Sequence, residues 1–432
     1  MKILHVSHRH FIAGGSDAVF FQTTDLLARA GHQVVPFCIR DQRNHPSEWS
    51  DYFPGGADTG AMPLFDGLRY FWNAEARRNL KRLIAEHGPF DLAHLHIYHG
   101  KHTPSILPVL RDAGIPVVQS LHEYKIACPV YTLQRGEKPC EACVSGTSLN
   151  ALRYRCKNGS LLRSGVMWAE FLTARALGDV AHIDRFLCVS EFQRAIMERA
   201  GIAADKLAVL HNCAVPASRP GRGNGGLLYF GRIEEIKGLP VLVEAAIRTG
   251  LKLTIAGQGG WSGEMQRRIA GHGNIRYLGF RSGPALARLV RHATAVVVPS
   301  EWYENCPMSV LEAKAAGVPV IGAAIGGIPE LVRDGVDGFL FRPGDAGALI
   351  GAFEALQGWD RAALARNALG DARSRFAPAV HLRGLLDCYG ALGAADRQGS
   401  RPRLSAPPIT TSSSTASPSH RATHRRPTLN RV

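Results

Sequence analysis

The sequence predicts an α/β protein with two Rossmann-like domains that face each other across a cleft. Short apolar strands alternate with amphipathic helices along most of the 432 residues. This alternation is typical of parallel sheets covered by helices. It pauses once, at 212–226, where Pro, Gly and Ser dominate, and then restarts. We therefore predict two doubly wound domains joined by a linker.

The N-terminal domain is predicted over residues 1–212. Its strands are MKILHVSH, QVVPFCI, FDLAHLHI, IPVVQSLH and RFLCVS. The helices between them are GGSDAVFFQTTDLLARAGH, AEARRNLKRLIAEHG and EFQRAIMERAG, with apolar residues at helical spacing. A segment at about 123–160 lacks a clear strand pattern, and we interpret it as a Cys-containing insertion.

The C-terminal domain is predicted over 213–375. Its strands are LLYFGR, LKLTIAGQG, IRYLGF, TAVVVPS and VPVIGA, and LPVLVEAAIRTG forms a helix between the first two. A last helix at 376–394 is expected to pack back on the N-terminal domain. Residues 395–432 are basic and rich in Ser, Thr and Pro. Because such a segment buries too little apolar surface to offset its ordering entropy, it is predicted to be a disordered tail.

The composition narrows the functional classes. The formal net charge is +15, which suits a nucleic acid, an anionic membrane or a phosphorylated substrate. Part of this charge lies in the tail, and we find no basic patch interleaved with aromatic residues, so a nucleic-acid partner is not expected. Neither a secretory signal nor an apolar run of membrane-spanning length is evident, and the protein is expected to be soluble and cytoplasmic.

Without an export signal, a disulfide framework is not expected. Five scattered cysteines are interpreted as small buried hydrophobic residues: Cys38, Cys188, Cys213, Cys306 and Cys388.

The turn YFGRIEEIKG is the first candidate binding motif. Arg232 and Lys237 follow a strand and precede a helix, so both should project into the cleft. Two cations beside a helix N-terminus suit a diphosphate, because the free backbone N–H groups add to their charge. The alternative is an exposed basic turn without function.

The stretch PSEWYENCPMSVLEAKAAG is the second motif, with Glu304 before a helix and Glu312 on its second turn. A buried carboxylate needs hydrogen-bond donors, and the adjacent hydroxyls of a ribose would supply them to Glu312. Glu304 would reach a different set of hydroxyls. The alternatives are a solvated loop acid for Glu304 and a salt bridge from Glu312 to Lys314.

The helix start between these two acids is expected to bind an anion. Asn305 is predicted to cap the helix and Pro307 to occupy its first turn. Free N–H groups near Cys306, Met308 and Ser309 would then point into the cleft.

Together these residues carry a resemblance. The acids Glu304 and Glu312, GRIEEIKG upstream and GGIPELVRDGVDGFLFRPGD downstream resemble the retaining nucleotide-sugar glycosyltransferases of family 4, which have the GT-B fold. GGSD, DLAHLH, SLHEY and VSEFQR in the N-terminal half are also similar to that family. The resemblance covers roughly Met1 to Leu392.

The resemblance implies a role for each matching residue. Arg232 and Lys237 hold the donor diphosphate, Glu312 the ribose and Glu304 the transferred sugar, while His122 lies near the reacting sugar. The implied catalytic residues are Arg232, Lys237, Glu304 and His122. The implied donor-binding residues are Gly14, Gly15, Arg232, Lys237, Glu304, Asn305, Cys306, Pro307, Met308 and Glu312.

Two departures from the family pattern stand out. Asp17 occupies a position after the glycine pair where the family often has Glu, which puts a role for Asp17 in doubt. Cys306 or Pro307 stands where the family often has Gly, which indicates a subgroup.

The resemblance also implies the mechanism. The anomeric configuration is retained, and a β-phosphate oxygen of the donor takes the acceptor proton. Arg232 and Lys237 supply the positive charge, so no catalytic metal is expected. The acceptor is expected to be a saccharide or a polyprenyl-linked saccharide in bacterial cell-surface polysaccharide assembly.

RYFWNAEARRNLKRL, with its aromatic and basic residues, would make peripheral contact with an anionic membrane, or it is an ordinary amphipathic helix. Two other functions remain alternatives. One is a sugar-nucleotide epimerase or hydrolase on the same fold, and the other is a non-enzymatic nucleic-acid-binding protein.

Four clustered cysteines suggest a structural zinc site. Cys128, Cys140, Cys143 and Cys156 have the spacing C-x11-C-x2-C-x12-C. Four thiolates would complete a tetrahedral site and hold the insertion together. The alternatives are a redox-labile pair and simple buried thiols.

The segment HLHIYHGKH is a second apparent metal motif. Because it has no acid at ligand spacing, we expect His94, His96, His99 and His102 to line the acceptor cleft rather than to bind a metal.

Overall fold

A computed structural model of the chain describes residues 1–57 and 64–398. Strands β1 to β14 span Lys2–Val6, Gln33–Phe37, Leu92–Leu95, Val117–Leu121, Gln134–Arg135, Lys138–Pro139, Arg185–Cys188, Leu207–Val209, Leu227–Phe230, Leu253–Ala256, Ile275–Tyr277, Ala295–Val298, Val320–Ala323 and Gly338–Phe341. Helices α1 to α15 span Gly15–Arg29, Leu64–Phe71, Ala74–His87, Leu107–Asp112, Asn150–Arg153, Leu161–Ala176, Glu191–Arg199, Leu239–Thr249, Ser262–Ile269, Gly283–His292, Met308–Ala315, Ile328–Leu331, Ala346–Gly358, Arg361–Arg375 and Pro378–Gln398. Short 3-10 helices lie at Ser50–Tyr52, Pro104–Ile106, Ala204–Lys206 and Glu235–Lys237.

Two parallel sheets of six strands form the two halves, and the predicted fold class is confirmed. The N-terminal sheet has the order β2-β1-β3-β4-β7-β8, and the C-terminal sheet the order β11-β10-β9-β12-β13-β14. Every pairing within both sheets is parallel. Strands such as AVVV of β12 are buried on both faces, as helices covering a parallel sheet require.

The segment 210–226 joins the two sheets without regular structure. The insertion at 123–160 is not structureless. It contains the two-stranded antiparallel hairpin β5–β6 and the short helix α5. A strand of two residues is too short to show an alternating pattern, which explains why no strand was predicted there.

Helix α15 returns to the N-terminal domain. Its side chains Leu385 and Tyr389 share one buried cluster with Ile3, Leu27 and Leu92. The helix continues to Gln398, four residues beyond its predicted end at 394, so the predicted boundary of the tail at 395 was wrong. The rest of the predicted tail, 399–432, lies outside the described residues.

The stretch RYFWNAEARRNLKRL is divided between two helices. Asn73 is buried between α2 and α3, and its side chain accepts a hydrogen bond from the backbone N–H of Ala76 at the start of α3. In the parts of the chain that the structure describes, no helix combines the length and the apolar character needed to cross a bilayer.

The interpretation of the scattered cysteines is confirmed for four of the five, which are buried: Cys38, Cys188, Cys213 and Cys306. Cys388 is half-buried in the cluster beneath α15. Burial raises the pKa of the Cys306 thiol to about 12, so it stays protonated and unreactive near neutral pH.

Candidate functional site

The candidate residues lie near the point in each sheet where the strand order reverses. In the C-terminal sheet this point lies between β9 and β12, and in the N-terminal sheet between β1 and β3. Ligands of open α/β sheets bind outside the carboxyl ends of the strands at such points. The turn that carries Arg232 and Lys237 follows β9, and the loop that carries Glu304 follows β12.

Lys237 and Glu304 form an ion pair across this point. The Lys237 Nζ lies 2.7 Å from Oε1 of Glu304, which also accepts a hydrogen bond of 2.7 Å from the Ser300 hydroxyl. The ammonium group is 4.4 Å from the ring centre of Trp302. Burial raises the pKa of Glu304, but Lys237 and Ser300 outweigh it, and the net pKa is lowered. The pair keeps Glu304 ionised at the base of the cleft.

The backbone of this turn depends on Gly238. Its φ of 70° lies in the left-handed region, and a Cβ there would overlap the carbonyl oxygen of Pro299 at the end of β12. Glycine thus allows the two loops to approach, which brings Lys237 to Glu304. Arg232 differs from Lys237 because its side chain is 67% exposed and pairs with Glu234 in the same turn.

The start of helix α11 has free donors. The backbone N–H groups of Cys306, Met308 and Ser309 have no hydrogen-bond acceptor within the described residues. Pro307 occupies the N-cap position, and no side chain caps the helix. The prediction that Asn305 caps α11 was wrong, because its side-chain amide instead donates to the backbone carbonyl of His122 in the other domain at 3.0 Å.

Glu312 is a half-buried acid on α11. Burial raises its pKa to about 7, and its carboxylate has no hydrogen-bond or ion-pair partner among the described residues. The alternative of a salt bridge from Glu312 to Lys314 was wrong, because side chains two positions apart on a helix point to different faces. Glu312 is therefore a carboxylate that a ligand has room to engage.

Lys314 instead holds α11 from beneath. Its fully buried ammonium group lies 2.6 Å from Asp371, 3.1 Å from Asp337 and 2.5 Å from the carbonyl oxygen of Leu331. These partners belong to the end of α12, the loop after it and α14, so they hold in place the helix whose first turn faces the cleft. No pattern in the sequence indicates this cluster.

The glycine loop of the N-terminal domain approaches α11. A Cβ on Gly15 would lie 3.8 Å from Cγ of Met308. Asp17, whose role the sequence left in doubt, is buried and accepts hydrogen bonds of 3.0 Å from the backbone N–H groups of Ala13 and Gly14. Asp17 thus determines the course of the loop from inside the domain.

A second contact between the domains was missed by the sequence reasoning. Glu330, in the motif GGIPELV, accepts hydrogen bonds from the backbone N–H groups of Glu191 and Phe192 at 2.7 and 2.5 Å. These are the first N–H groups of α7, so a carboxylate of one domain caps a helix of the other. The Phe192 ring also lies 4.8 Å from the ring of Tyr303. Both contacts flank the candidate site.

His122 lies at the N-terminal face of the cleft, next to a set of interior histidines. The prediction that His94, His96 and His102 line the acceptor cleft was wrong, because all three are buried. The His94 ring contacts Ser120 and Tyr389, and His102 contacts the backbone carbonyl of Ser7. Sequence spacing alone does not separate a strand face that opens to the cleft from one covered by helices.

His5, His94 and His96 form the one group of potential metal ligands in the described residues whose donor atoms all lie within 4.8 Å of one another. Their ring nitrogens already have partners, however: the two of His94 in Ser120 and Tyr389, and one each of His5 and His96 in each other at 2.7 Å. A metal would have to displace these bonds, so the geometry does not favour a metal there.

The four clustered thiols of the insertion lie in one neighbourhood. Burial, followed by the charges of the other cluster thiols, raises the pKa of Cys143 to about 12, and burial with Cys128 and Cys140 raises that of Cys156 to about 11. No three of the four sulfurs lie within 4.8 Å of one another in the described residues. The zinc site stays a prediction.

Comparison with known families accounts for both domains. The family described as Glycosyltransferase Family 4 matches residues 13–217, and the family described as Glycosyl transferases group 1 matches residues 224–357. The two matched ranges meet at the linker between the sheets.

Among curated relatives, the chain is 35% identical over 167 residues to a D-inositol 3-phosphate glycosyltransferase of Actinosynnema mirum. That alignment covers 34% of this chain and 40% of the relative. A glycogen synthase of Mycobacterium tuberculosis is 32% identical over 38% of this chain and 43% of its own length. The chain thus spans about two fifths of these relatives. The D-inositol 3-phosphate glycosyltransferase 1 of Catenulispora acidiphila matches over 76% of this chain and 78% of its own length at 27% identity.

Solved structures agree in fold. Anabaena HepE in complex with UDP has a TM-score of 0.62 at 17% identity and covers 90% of this chain and 100% of its own. The sucrose-phosphate synthase of Thermosynechococcus elongatus has a TM-score of 0.68 at 19% identity, with 91% and 99% coverage. At these identities the similarity establishes the two-domain fold.

Proposed function

Because this chain belongs to glycosyltransferase family 4, we propose that it transfers a hexosyl group, with retention, from a nucleoside diphosphate sugar. The acceptor is a saccharide or a lipid-linked saccharide of bacterial cell-surface polysaccharide assembly. The observation that carries the proposal is the ion pair of Lys237 with Glu304, at the switch point beside the free N–H groups of α11. Structural neighbours in complex with UDP and UDP-glucose support a donor of this class.

Each group has a distinct task in this proposal. Lys237 and Arg232 neutralise the charge that develops on the departing diphosphate, and the N–H groups of Met308 and Ser309 donate to its oxygens. Glu312 accepts hydrogen bonds from the ribose hydroxyls, which suits a carboxylate without a protein partner. Glu304 accepts from the transferred sugar while its second role is to orient Lys237.

The acceptor takes the face of the cleft opposite the donor helix. A β-phosphate oxygen of the donor receives the acceptor proton, so no protein base has to lie on that face. We place the protein in the cytoplasm with a peripheral contact to an anionic membrane. Its net charge of +15 supports that contact.

We also propose a structural zinc held by Cys128, Cys140, Cys143 and Cys156. Other thiols of the cluster help to raise the pKa of Cys143 and of Cys156, a cost that a cation would remove because it binds thiolates. Elemental analysis of protein purified without chelator should find about one zinc per chain. A metal-free preparation that is stable and active would exclude the site.

The donor proposal is tested by a thermal-shift screen of nucleoside diphosphate sugars, followed by turnover with the donor that binds. A donor at 100 times its Kd should stabilise the protein by about 2.7 kcal/mol. Acceptor-dependent release of nucleoside diphosphate supports transfer. Free sugar without dependence on any acceptor would instead support the hydrolase alternative, and no stabilisation by any donor would contradict the proposal.

A further inference from the structure

A continuous row of hydrogen bonds runs from the cleft into the N-terminal domain. Nε2 of His122 lies 2.7 Å from Nδ1 of His96, and Nε2 of His96 lies 2.7 Å from Nε2 of His5. Nδ1 of His5 lies 2.9 Å from the Thr24 hydroxyl on α1, which is 2.9 Å from the carbonyl oxygen of Phe20. Each contact needs one hydrogen and one lone pair, because two lone pairs or two N–H groups would repel.

Thr24 determines the direction of the whole row. The Phe20 carbonyl only accepts, so the single hydroxyl hydrogen of Thr24 points to it. The opposite arrangement would bring two acceptor oxygens face to face at 2.9 Å. The Thr24 oxygen therefore accepts from Nδ1 of His5, and Nε2 of His5 is left as an acceptor.

The same assignment of one donor and one acceptor to each contact continues toward the cleft. His96 donates from Nε2 to His5, so its Nδ1 is an acceptor. His122 donates from Nε2 to that atom, so the lone pair of His122 is on Nδ1. This atom has no partner in the described residues and is not enclosed by protein, and Asn305 of the opposite domain binds the carbonyl oxygen of His122. The free lone pair therefore lies at the cleft.

The rings are neutral, so tautomers and not charges decide what they offer. Burial lowers the pKa of His122 to about 4 and that of His5 to about 3, and it lowers the pKa of His96 well below the usual range. Near neutral pH none of the three rings carries a second N–H that would make the row ambiguous.

We propose that Thr24, His5 and His96 are positioning residues that hold His122 as a hydrogen-bond acceptor, and that its Nδ1 accepts from a hydroxyl group of the transferred sugar. The sugar contact rests on the proposed function, whereas the direction of the row rests on the distances alone. A sugar that presents a carboxylate at this position would meet a second acceptor there and would bind less well.

The direction is tested by long-range ¹H–¹⁵N spectra of the full chain with labelled histidine, assigned by single His→Gln substitutions. We expect Nδ1–H for His5 and Nε2–H for His96 and His122. The Nε2–H tautomer at His5 would reverse every bond in the row and would overturn the inference.

The role of Thr24 is tested with three variants. Thr24→Val keeps the shape but removes the acceptor, and Thr24→Ser keeps the hydroxyl. Thr173→Val is the matched control, because the Thr173 hydroxyl donates to Ala169 at 2.9 Å in the same way without a histidine partner. We expect the tautomer ratio of His122 to shift about fivefold toward Nδ1–H in Thr24→Val only, the size of one net hydrogen bond. An unchanged ratio would overturn the proposed role.

The sugar contact is tested by calorimetry with UDP and UDP-glucose as probes. The Kd of UDP divided by the Kd of UDP-glucose measures the affinity that the glucosyl group adds. We expect the ratio of the UDP Kd to the UDP-glucose Kd to fall in Thr24→Val, by at most the roughly fivefold change of the tautomer ratio, and not to fall in Thr24→Ser or Thr173→Val. An equal ratio in all four proteins would overturn the contact with the sugar. Failure of both probes to bind, with the expected tautomers present, would exclude UDP-glucose as the donor and overturn the contact with its sugar but not the histidine row, and the donor screen then decides the proposed function.

Discussion

The two faces of the cleft solve the problem of buried polar groups in different ways. On the C-terminal face the buried polar groups are charged. Lys237 is paired with Glu304, and Lys314 of α11 lies between Asp337 and Asp371. On the N-terminal face, neutral imidazoles are bonded to one another. A charged face suits a diphosphate, whose recognition depends on electrostatics. Directional neutral bonds suit hydroxyl groups, whose recognition depends on orientation.

The difference also predicts how much stability is lost when one polar partner is removed from each face. Removing one member of a buried ion pair leaves an uncompensated charge, which is costly. Removing one neutral bond costs less, because only one polar group loses its partner. Five experiments test this contrast.

The largest effect is expected for Lys314→Met. It removes the buried ammonium group between Asp337 and Asp371 and leaves them only the partly exposed Arg333 and Arg375, so it should lower the free energy of unfolding by up to about 3–5 kcal/mol. Urea denaturation measures the change, and Lys252→Met, at an exposed position, is the control. A loss below about 1 kcal/mol would show that Arg333 and Arg375 compensate the two carboxylates, and the contrast between the faces would weaken.

The next effect concerns catalysis. Lys237→Ala and Arg232→Ala should each lower kcat by roughly 10²–10³, because each removes positive charge from the leaving diphosphate. Lys237 is expected to show the larger loss, since it is held in place by Glu304 and Trp302 whereas Arg232 is exposed. Steady-state kinetics at saturating donor measure the change. Arg248→Ala on the outer face of α8 is the control, and near wild-type turnover in both test variants would refute the phosphate assignment.

A smaller effect, on nucleotide binding, is expected to distinguish Glu312 on α11 from Glu304 in the loop before it. Glu312→Gln should weaken binding of the nucleoside diphosphate by about 1.5–3 kcal/mol, because it removes a charge-assisted bond to the ribose. Glu304→Gln should weaken this binding less and mainly reduce turnover or sugar selectivity, since Glu304 contacts the sugar and affects the diphosphate only through Lys237. Calorimetric titration with the nucleotide alone decides between them. Equal losses in both variants, or a loss only in Glu304→Gln, would contradict the assignment.

The pH dependence sharpens the same assignment. Burial raises the pKa of Glu312 to about 7, and the ionised form is the better acceptor for ribose hydroxyls. Nucleotide affinity should therefore rise as the pH increases through 7 and level off above it. In Glu312→Gln the part of this rise that comes from the carboxylate should be absent. Curves of the same shape for both proteins would contradict the role of Glu312.

The smallest effect, a change of stability with each pH unit, is expected for the neutral histidines of the N-terminal face. The folded pKa values of His5 and His122, about 3 and 4, lie below the ordinary 6.5 of the unfolded chain. The unfolded state thus binds more protons below pH 6.5, and stability is lost as the pH falls from 6.5 toward 4. Each such histidine contributes up to about 1.4 kcal/mol per pH unit. Urea denaturation between pH 7 and 5 should give a shallower slope in His5→Gln than in the wild type; an equal slope would show that His5 is not neutral.

Much of this arrangement followed from the sequence. Parallel α/β domains leave a strong local signal, since each strand is a short apolar run and each helix repeats at 3.6 residues. The placement of Arg232, Lys237, Glu304 and Glu312 near one edge of the sheet was likewise predicted, because the switch point of such a sheet brings together turns that follow different strands. The sequence also suggested the interdomain approach of Gly15.

The partners of these residues followed only from the tertiary structure. Lys237 and Glu304 are 67 residues apart, and no local pattern indicates that they form an ion pair. The segment HLHIYHGKH was misassigned for the same reason: the strand period places His94 and His96 on one face, but helices packed on the sheet decide whether that face is open. The sequence alone determined which elements form and which residue types stand at their ends. Contacts between distant segments decided the ion pairs, the capping of α7 by Glu330 and the direction of the histidine row, because burial and hydrogen bonding depend on neighbours in space rather than along the chain.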